Sequence, residues 1–197
     1  MKKIIVATKN KGKAKEFKEF FASFDIEAIS LLDLPESIPD IEETGTTFEE
    51  NAALKAEQIS ERFNTAVIAD DSGLLIDALD GRPGLYSARY AGEPTNDQAN
   101  IEKVLKEMQD VPDNDRSARF ICVLAIAQPG KETNFCTGYC EGNIHSKQKG
   151  DHGFGYDPIF IPKKYDVTMA ELDPAKKNQI SHRKNAIDQL EKWLHTI

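Results

Sequence analysis

The stretch KIIVATKNKGKAKEFKEFFASF, residues 3–24, changes structural period within a few positions. Lys3 to Thr8 is β-branched and apolar and predicts a short buried strand. From about Lys11 to Phe24 the apolar positions Phe17, Phe20, Phe21 and Phe24 return at helical spacing, so one face of a helix is marked for burial. The turn Lys9-Asn10-Lys11-Gly12 places polar residues and a glycine at the helix N-terminus. Free backbone N–H groups and the positive dipole end make such a terminus a natural anion seat. It is not a P-loop: Ala7 stands where that signature needs glycine, and Ala14 where it needs a hydroxyl. Lys9, Lys11, Lys13, Lys15 and Lys18 therefore have two readings, a solvated helix face or a site for something anionic.

Outward from this unit the pattern alternates. Ile26 to Leu32 predicts a second strand, followed by the polar, proline-containing loop PESIPDIEETG. Thr47 to Glu50 has capping-box form and opens a helix to about Phe63, with an apolar stripe of Phe48, Ala52, Ala56, Ile59 and Phe63. Asn51 and Lys55 lie one turn apart on the flank of that stripe. Ala66 to Ala69 and Leu74 to Leu79 are expected as strands on either side of ADDSG. GRPGLYSARYAGEP reads as loop, and Thr95 to Met108 as helix. Arg119 to Gln128 and Thr133 to Ser146 suggest an antiparallel hairpin around Pro129-Gly130-Lys131. Asp173-Pro174 forms a good helix start, and a final helix is expected from about Ser181 to Leu194. This order predicts an α/β protein whose sheet is partly parallel, in one domain over residues 1–197.

A net charge of −8 argues against nucleic-acid or anionic-membrane partners, which need a basic field. An anionic ligand would have to be held locally, by clusters such as the N-terminal lysines. No apolar run approaches membrane-spanning length, and IIVAT is too short for a signal peptide's apolar segment. Cys122, Cys136 and Cys140 are odd in number and contain no CxxC pair, so buried free thiols and a cytoplasmic location are expected. The alternative for the last two is a zinc site with His145.

Four further segments have residue types suited to chemistry. In IADDSGL, Asp70 and Asp71 follow an apolar strand and must face opposite sides if the strand continues. IEETG offers Glu42 and Glu43, and magnesium at a phosphate site needs only one or two carboxylates. GFGYDPIF interleaves glycines with Phe154 and Tyr156, a backbone open to close approach beside rings able to stack on a base. KKNQISHRKNA concentrates Lys176, Lys177, His182, Arg183 and Lys184 near a helix N-terminus, where cations oppose the dipole and ligand binding gains weight over capping.

TKNKGK, FEENAALKA, ADDSGL, GRPGLYSARYAG, GFGYDPIF and SHRKNA, in this order, resemble the Ham1-like family of non-canonical purine nucleoside triphosphate pyrophosphatases (the inosine/xanthosine triphosphate diphosphatases, also called RdgB-like). The resemblance covers nearly the whole chain, from Ile4 to about Leu194. It implies magnesium-dependent hydrolysis of ITP, dITP and XTP between the α- and β-phosphates, giving nucleoside monophosphate and pyrophosphate. It also implies an ITPase-like/Maf-like fold: an elongated mixed sheet flanked by helices, with two lobes and the active-site cleft between them, assembled as a homodimer. GRPGLYSARYAG, with Arg89, would serve the dimer contact or site closure.

Residue by residue, the resemblance assigns the phosphates to Thr8, Lys9, Asn10, Lys11, Gly12 and Lys13, with Lys55 adding charge. Many members have glycine at the place of Lys9. Asp71 is implied as general base and magnesium ligand, Glu42 as the second ligand ahead of Glu43, and Asp70 as a supporting residue. Ser72, Phe154, Gly155, Tyr156, Asp157, Lys177, His182 and Arg183 are implied as substrate-binding. Donors from His182 or Arg183 would satisfy a 6-oxo purine and meet adenine's amino group donor against donor. Two rival readings are a pyrophosphatase for other modified nucleotides and a nucleotide sensor without turnover. Retention of Glu42 and Asp71 speaks against a sensor.

Overall fold

The computed structural model of the chain describes residues 2–194, the side chain of Trp193 excepted. Strand β1 (Lys2–Val6) buries its last three residues and passes through the lysine-rich turn into helix α1 (Lys11–Ala22). Asn10 caps that helix by accepting from the Lys13 amide at 3.0 Å, and Ala14, Phe17 and Phe21 form its buried face. Strand β2 (Ile26–Ser30) returns parallel to β1, with Lys2 opposite Ile26 and Val6 opposite Ser30. A parallel pair needs a crossover, which α1 supplies while packing on β2. Helix α2 (Phe48–Phe63) starts at Thr47, whose hydroxyl accepts from the Glu50 amide. The Glu50 carboxylate closes the turn on the amide of Thr46, one residue before the position a strict capping box would use.

Strand β3 (Val67–Ile76) pairs parallel with β1, Ile5 opposite Val67. It runs unbroken through ADDSG, where composition suggests two strands with a break. Strand geometry persists because the charged pair does not need a turn to be satisfied: each aspartate meets a lysine from another element. Helix α3 (Asp97–Glu107) follows, capped by Asn96. Strands β4 (Ser117–Ala127) and β5 (Asn134–Ile144) are neighbours in the sheet, and the link between them is too short for a parallel crossover. Strand β6 (Phe160–Pro162), not anticipated from the sequence, pairs antiparallel with β5, Gly142 opposite Pro162. The last described elements are α4 (Pro174–Ile180) and α5 (His182–Leu194). Hydrogen-bonded strand order is β2-β1-β3-β4-β5-β6, a mixed sheet with flanking helices, as the α/β reading requires.

Two compact units divide the chain, residues 1–71 with 123–136, and residues 72–122 with 137–197. In the first, Ile5, Val6, Phe17, Phe21, Ile59, Val67 and Leu124 are buried. In the second, Leu74, Ile76, Val104, Met108, Phe120, Ile144, Ile159 and Phe160 make one core, with the Phe120 and Phe160 rings 4.5 Å apart. Each such side chain contributes about 1.5–3 kcal/mol by leaving water. Buried Arg116 has its hydrogen-bonding capacity met there by donating to the carbonyls of Ile144, Met108 and Val111. Among the described residues no helix is long and apolar enough to cross a membrane.

Candidate active site

In the first unit, the end of β1 delivers the phosphate-loop candidates. The Thr8 hydroxyl accepts from the Asn10 amide at 3.1 Å, and Asn10 then caps α1. That double turn brings Lys13, in the first helical turn, onto β3, where its Nζ donates to Asp70 Oδ2 at 2.6 Å. The Asp70 side chain is 4% exposed and that of Lys13 24%. Lys9 pairs with Asp40, and both side chains line the same cavity as Lys13 and Asp70. Exposed Lys11 lines a different cavity with Lys15 and Lys18. Lys15 faces Glu19 and Lys18 pairs with Asp33, so those two are the solvated face.

One residue along β3 the pattern repeats on the other side of the strand. Lys55, on α2, donates to Glu43 Oε1 at 2.6 Å and lies 3.7 Å from Asp71 Oδ1. Burial works against its charge, but the carboxylates of Asp71, Glu43 and Asp70 outweigh burial and hold its pKa above the ordinary lysine value. Asn51, one turn earlier, is buried and accepts from the Gly45 amide at 2.8 Å, which fixes the acidic loop against α2. Thr8, Lys9, Lys13, Glu43, Lys55 and Asp70 line one cavity of about 270 Å³. Glu42, the carboxylate nominated by resemblance, is exposed and lines a neighbouring cavity with Gln58 and Arg62. The two adjacent glutamates line different cavities, a distinction that identical neighbours in the sequence do not reveal.

The second unit gathers the aromatic and cationic candidates. Asp157 is buried, and its Oδ2 accepts from the Phe154 amide (2.9 Å) and from Lys177 Nζ (2.5 Å). The same ammonium lies 4.6 Å from the centre of the Phe154 ring, which is 62% exposed. Gly153 has φ +83°, and a Cβ there would fall 2.0 Å from Asp157 Oδ2. The Tyr156 hydroxyl donates to the Ser87 carbonyl at 2.7 Å, and burial pushes its pKa far above the ordinary phenol value. Ser72 is half-buried on β3.

His182 and Arg183 open α5, where Ser181 caps by accepting from the Lys184 amide. The His182 ring stacks on Phe120 at 5.0 Å and 19°. Gly138 on β5 lets the helix lie against the strand, since a Cβ would come within 2.2 Å of the Ala186 nitrogen and the His182 carbonyl. Arg183 is 9% exposed. Cys122, Cys136 and Cys140 are buried thiols outside any disulfide, and burial, with Glu141 and Asp157 nearby, raises the Cys140 pKa to about 11. Among the described residues no three His, Cys, Asp or Glu side chains gather as a metal-ligand set, the Cys136-Cys140-His145 alternative included.

The sequence matches the Ham1 family over residues 4–193. It is 59% identical over 194 residues to the dITP/XTP pyrophosphatase of Halalkalibacterium halodurans, covering 98% of this chain and 100% of that one. The dITP/XTP pyrophosphatase of Listeria monocytogenes is 58% identical over 197 residues, 100% and 97% of the two chains. Among solved structures, the Staphylococcus aureus Ham1 protein superposes with a TM-score of 0.92 at 48% identity over 99% of both chains. A HAM1 protein from Coxiella burnetii gives 0.93 at 42% identity over 100% of both.

Proposed function

The chain belongs to the Ham1 family, and from that premise we propose that it hydrolyses the deaminated purine triphosphates dITP, XTP and ITP to nucleoside monophosphate and pyrophosphate. The observation that carries this reading is the pairing of Lys13 with Asp70 and of Lys55 with Glu43 and Asp71. Cations and carboxylates placed side by side suit a polyphosphate with a metal ion. Phosphate oxygens compete for the ammonium groups, and the carboxylates become available to metal and water.

Two carboxylates already face one cation at Lys55, and an all-oxygen donor pair fits Mg2+, whose remaining positions go to phosphate and water. Asp71 and one acidic-loop glutamate would hold it, and the placement of Glu43 favours that residue over Glu42. Bound there, Mg2+ supplies charge neutralisation and acidifies a bound water. Asp71 orients and deprotonates the attacking water. Lys13 and Lys55 offset charge developing on the leaving pyrophosphate. Thr8, Lys9, Asn10, Lys11 and Gly12 contribute the remaining phosphate contacts around the N-terminus of α1.

The purine end is assigned to Phe154, whose exposed ring offers a stacking face, and to Gly155, Tyr156, Asp157 and Lys177; Ser72 on β3 is assigned to the substrate as well. His182 and Arg183 donate to the 6-oxo group. The protein acts as a cytoplasmic homodimer in this reading. Its buried, unbridged thiols suit a reducing compartment, and the exposed Tyr86 beside Arg89 suits a subunit contact. Pyrophosphate release from dITP, XTP, dGTP and dATP, with and without Mg2+, tests the reaction. Preference for dITP and XTP, lost on chelation, is expected, and equal rates on dGTP or dATP would overturn the substrate assignment. Sedimentation at micromolar concentration tests the dimer.

A further inference from the structure

Phe154 is an exposed ring on a turn with two glycines of positive φ, Gly153 at +83° and Gly155 at +58°. Such a backbone samples many conformations unless it is tied down, and ordering it at the moment of binding costs affinity. Two carboxylates tie it. Asp157, within the turn, accepts from the Phe154 amide. The second comes from far away in sequence: Asp97, the first residue of α3, accepts from the Gly155 amide at 2.7 Å through its Oδ2.

We propose that Asp97 is a positioning residue for purine binding, acting through the Gly155 amide to hold the Phe154 ring in its stacking pose. The inference rests on the assignment of Phe154 to the base. The capping of α3 does not depend on Asp97, because Asn96 accepts from the Ala99 amide and fills that role. Asp97 is therefore available to the neighbouring turn, and its charge strengthens the bond to a neutral amide donor. The two anchors divide the turn between them. Asp157 fixes the near side together with Lys177, and Asp97 fixes Gly155, where a Cβ would meet nothing within 4 Å.

Asp97→Ala is expected to raise KM for dITP about tenfold with kcat within about twofold, the pattern of lost uniform binding. Asp97→Asn keeps an acceptor oxygen and restores KM to within about twofold of the parent. Asn96→Ala, which loosens α3 without touching Gly155, lowers Tm and leaves KM alone. Deuterium exchange of the Gly155 amide reads the anchor directly and speeds up in Asp97→Ala. If the parent enzyme turns over dITP but Asp97→Ala keeps its KM, or if Asn96→Ala raises KM equally, the positioning role is wrong. If the parent does not turn over dITP, the functional reading fails. In that case an unchanged Gly155 exchange rate in Asp97→Ala overturns the anchor, and a faster one retains it.

Discussion

Lys13 and Asp70, 57 positions apart, form a 2.6 Å ion pair in which the carboxylate is almost entirely withdrawn from solvent. Removing the cation takes from the buried carboxylate its 2.6 Å ion-pair partner, which costs more than the pair itself contributes. Lys13→Ala is expected to destabilise the protein by about 3 kcal/mol in urea denaturation, less because Lys13 is partly exposed than for a fully buried pair. The companion Asp70→Asn, which removes the buried charge itself, should cost less. Equal losses would mean that the pair is not energetically coupled.

Asp71 carries the water-activating role in the proposed reaction. Asp71→Asn is nearly isosteric and removes the base and its charge, and with them one of the two carboxylates proposed for Mg2+. Turnover of dITP should fall by about 10²–10⁴-fold. Calorimetric binding of the triphosphate should stay within a few-fold, and full activity would remove Asp71 from the chemistry.

Glu43 rather than Glu42 shares Lys55 with Asp71. Glu43→Gln is expected to raise the magnesium concentration for half-maximal activity about tenfold, the scale on which a lost carboxylate contact weakens a site. Glu42→Gln should raise it less. The opposite order would return the metal role to Glu42.

Gly138 is where α5 lies on β5, and any Cβ there meets backbone at 2.2 Å. Gly138→Ala must push the helix start outward, at a cost of about 1–3 kcal/mol. Because His182 and Arg183 ride on that turn, KM should rise and discrimination of dITP over dATP should shrink. Kinetics on both substrates check this.

Asp33 has its pKa lowered to about 2 by Lys18, with Ser30 donating from both its hydroxyl and its amide. A carboxyl depressed on folding contributes stability above its unfolded pKa of about 3.8 and loses it as pH falls through about 2. Acid unfolding of Asp33→Asn should therefore match the parent most closely below about pH 2 and fall short of it near neutrality. Exposure of the pair limits that gap to about 1 kcal/mol.

Local signals are legible in the order of residues alone. Phenylalanine spacing marks α1, Thr47 and Asp173 mark helix starts, and alternation marks the β4–β5 pair. Each rests on interactions within a few residues, which composition and spacing record directly. ADDSG misleads for the same reason: Asp, Ser and Gly favour turns locally, while strand pairing and two lysines from other elements keep β3 extended.

The sequence by itself determined an α/β chain and its helix starts, and its resemblance to a family nominated a set of charged and aromatic residues for a purine triphosphate. Tertiary structure decided which members of that set meet. It put Glu43 on Lys55, left Glu42 in the next cavity and drew Lys13 onto Asp70, and it brought Asp97, a residue outside that set, to Gly155. Those pairings depend on how β3, α2 and α3 are placed by packing of their apolar faces, and no local spacing encodes the distance between residues that the folded chain alone makes neighbours.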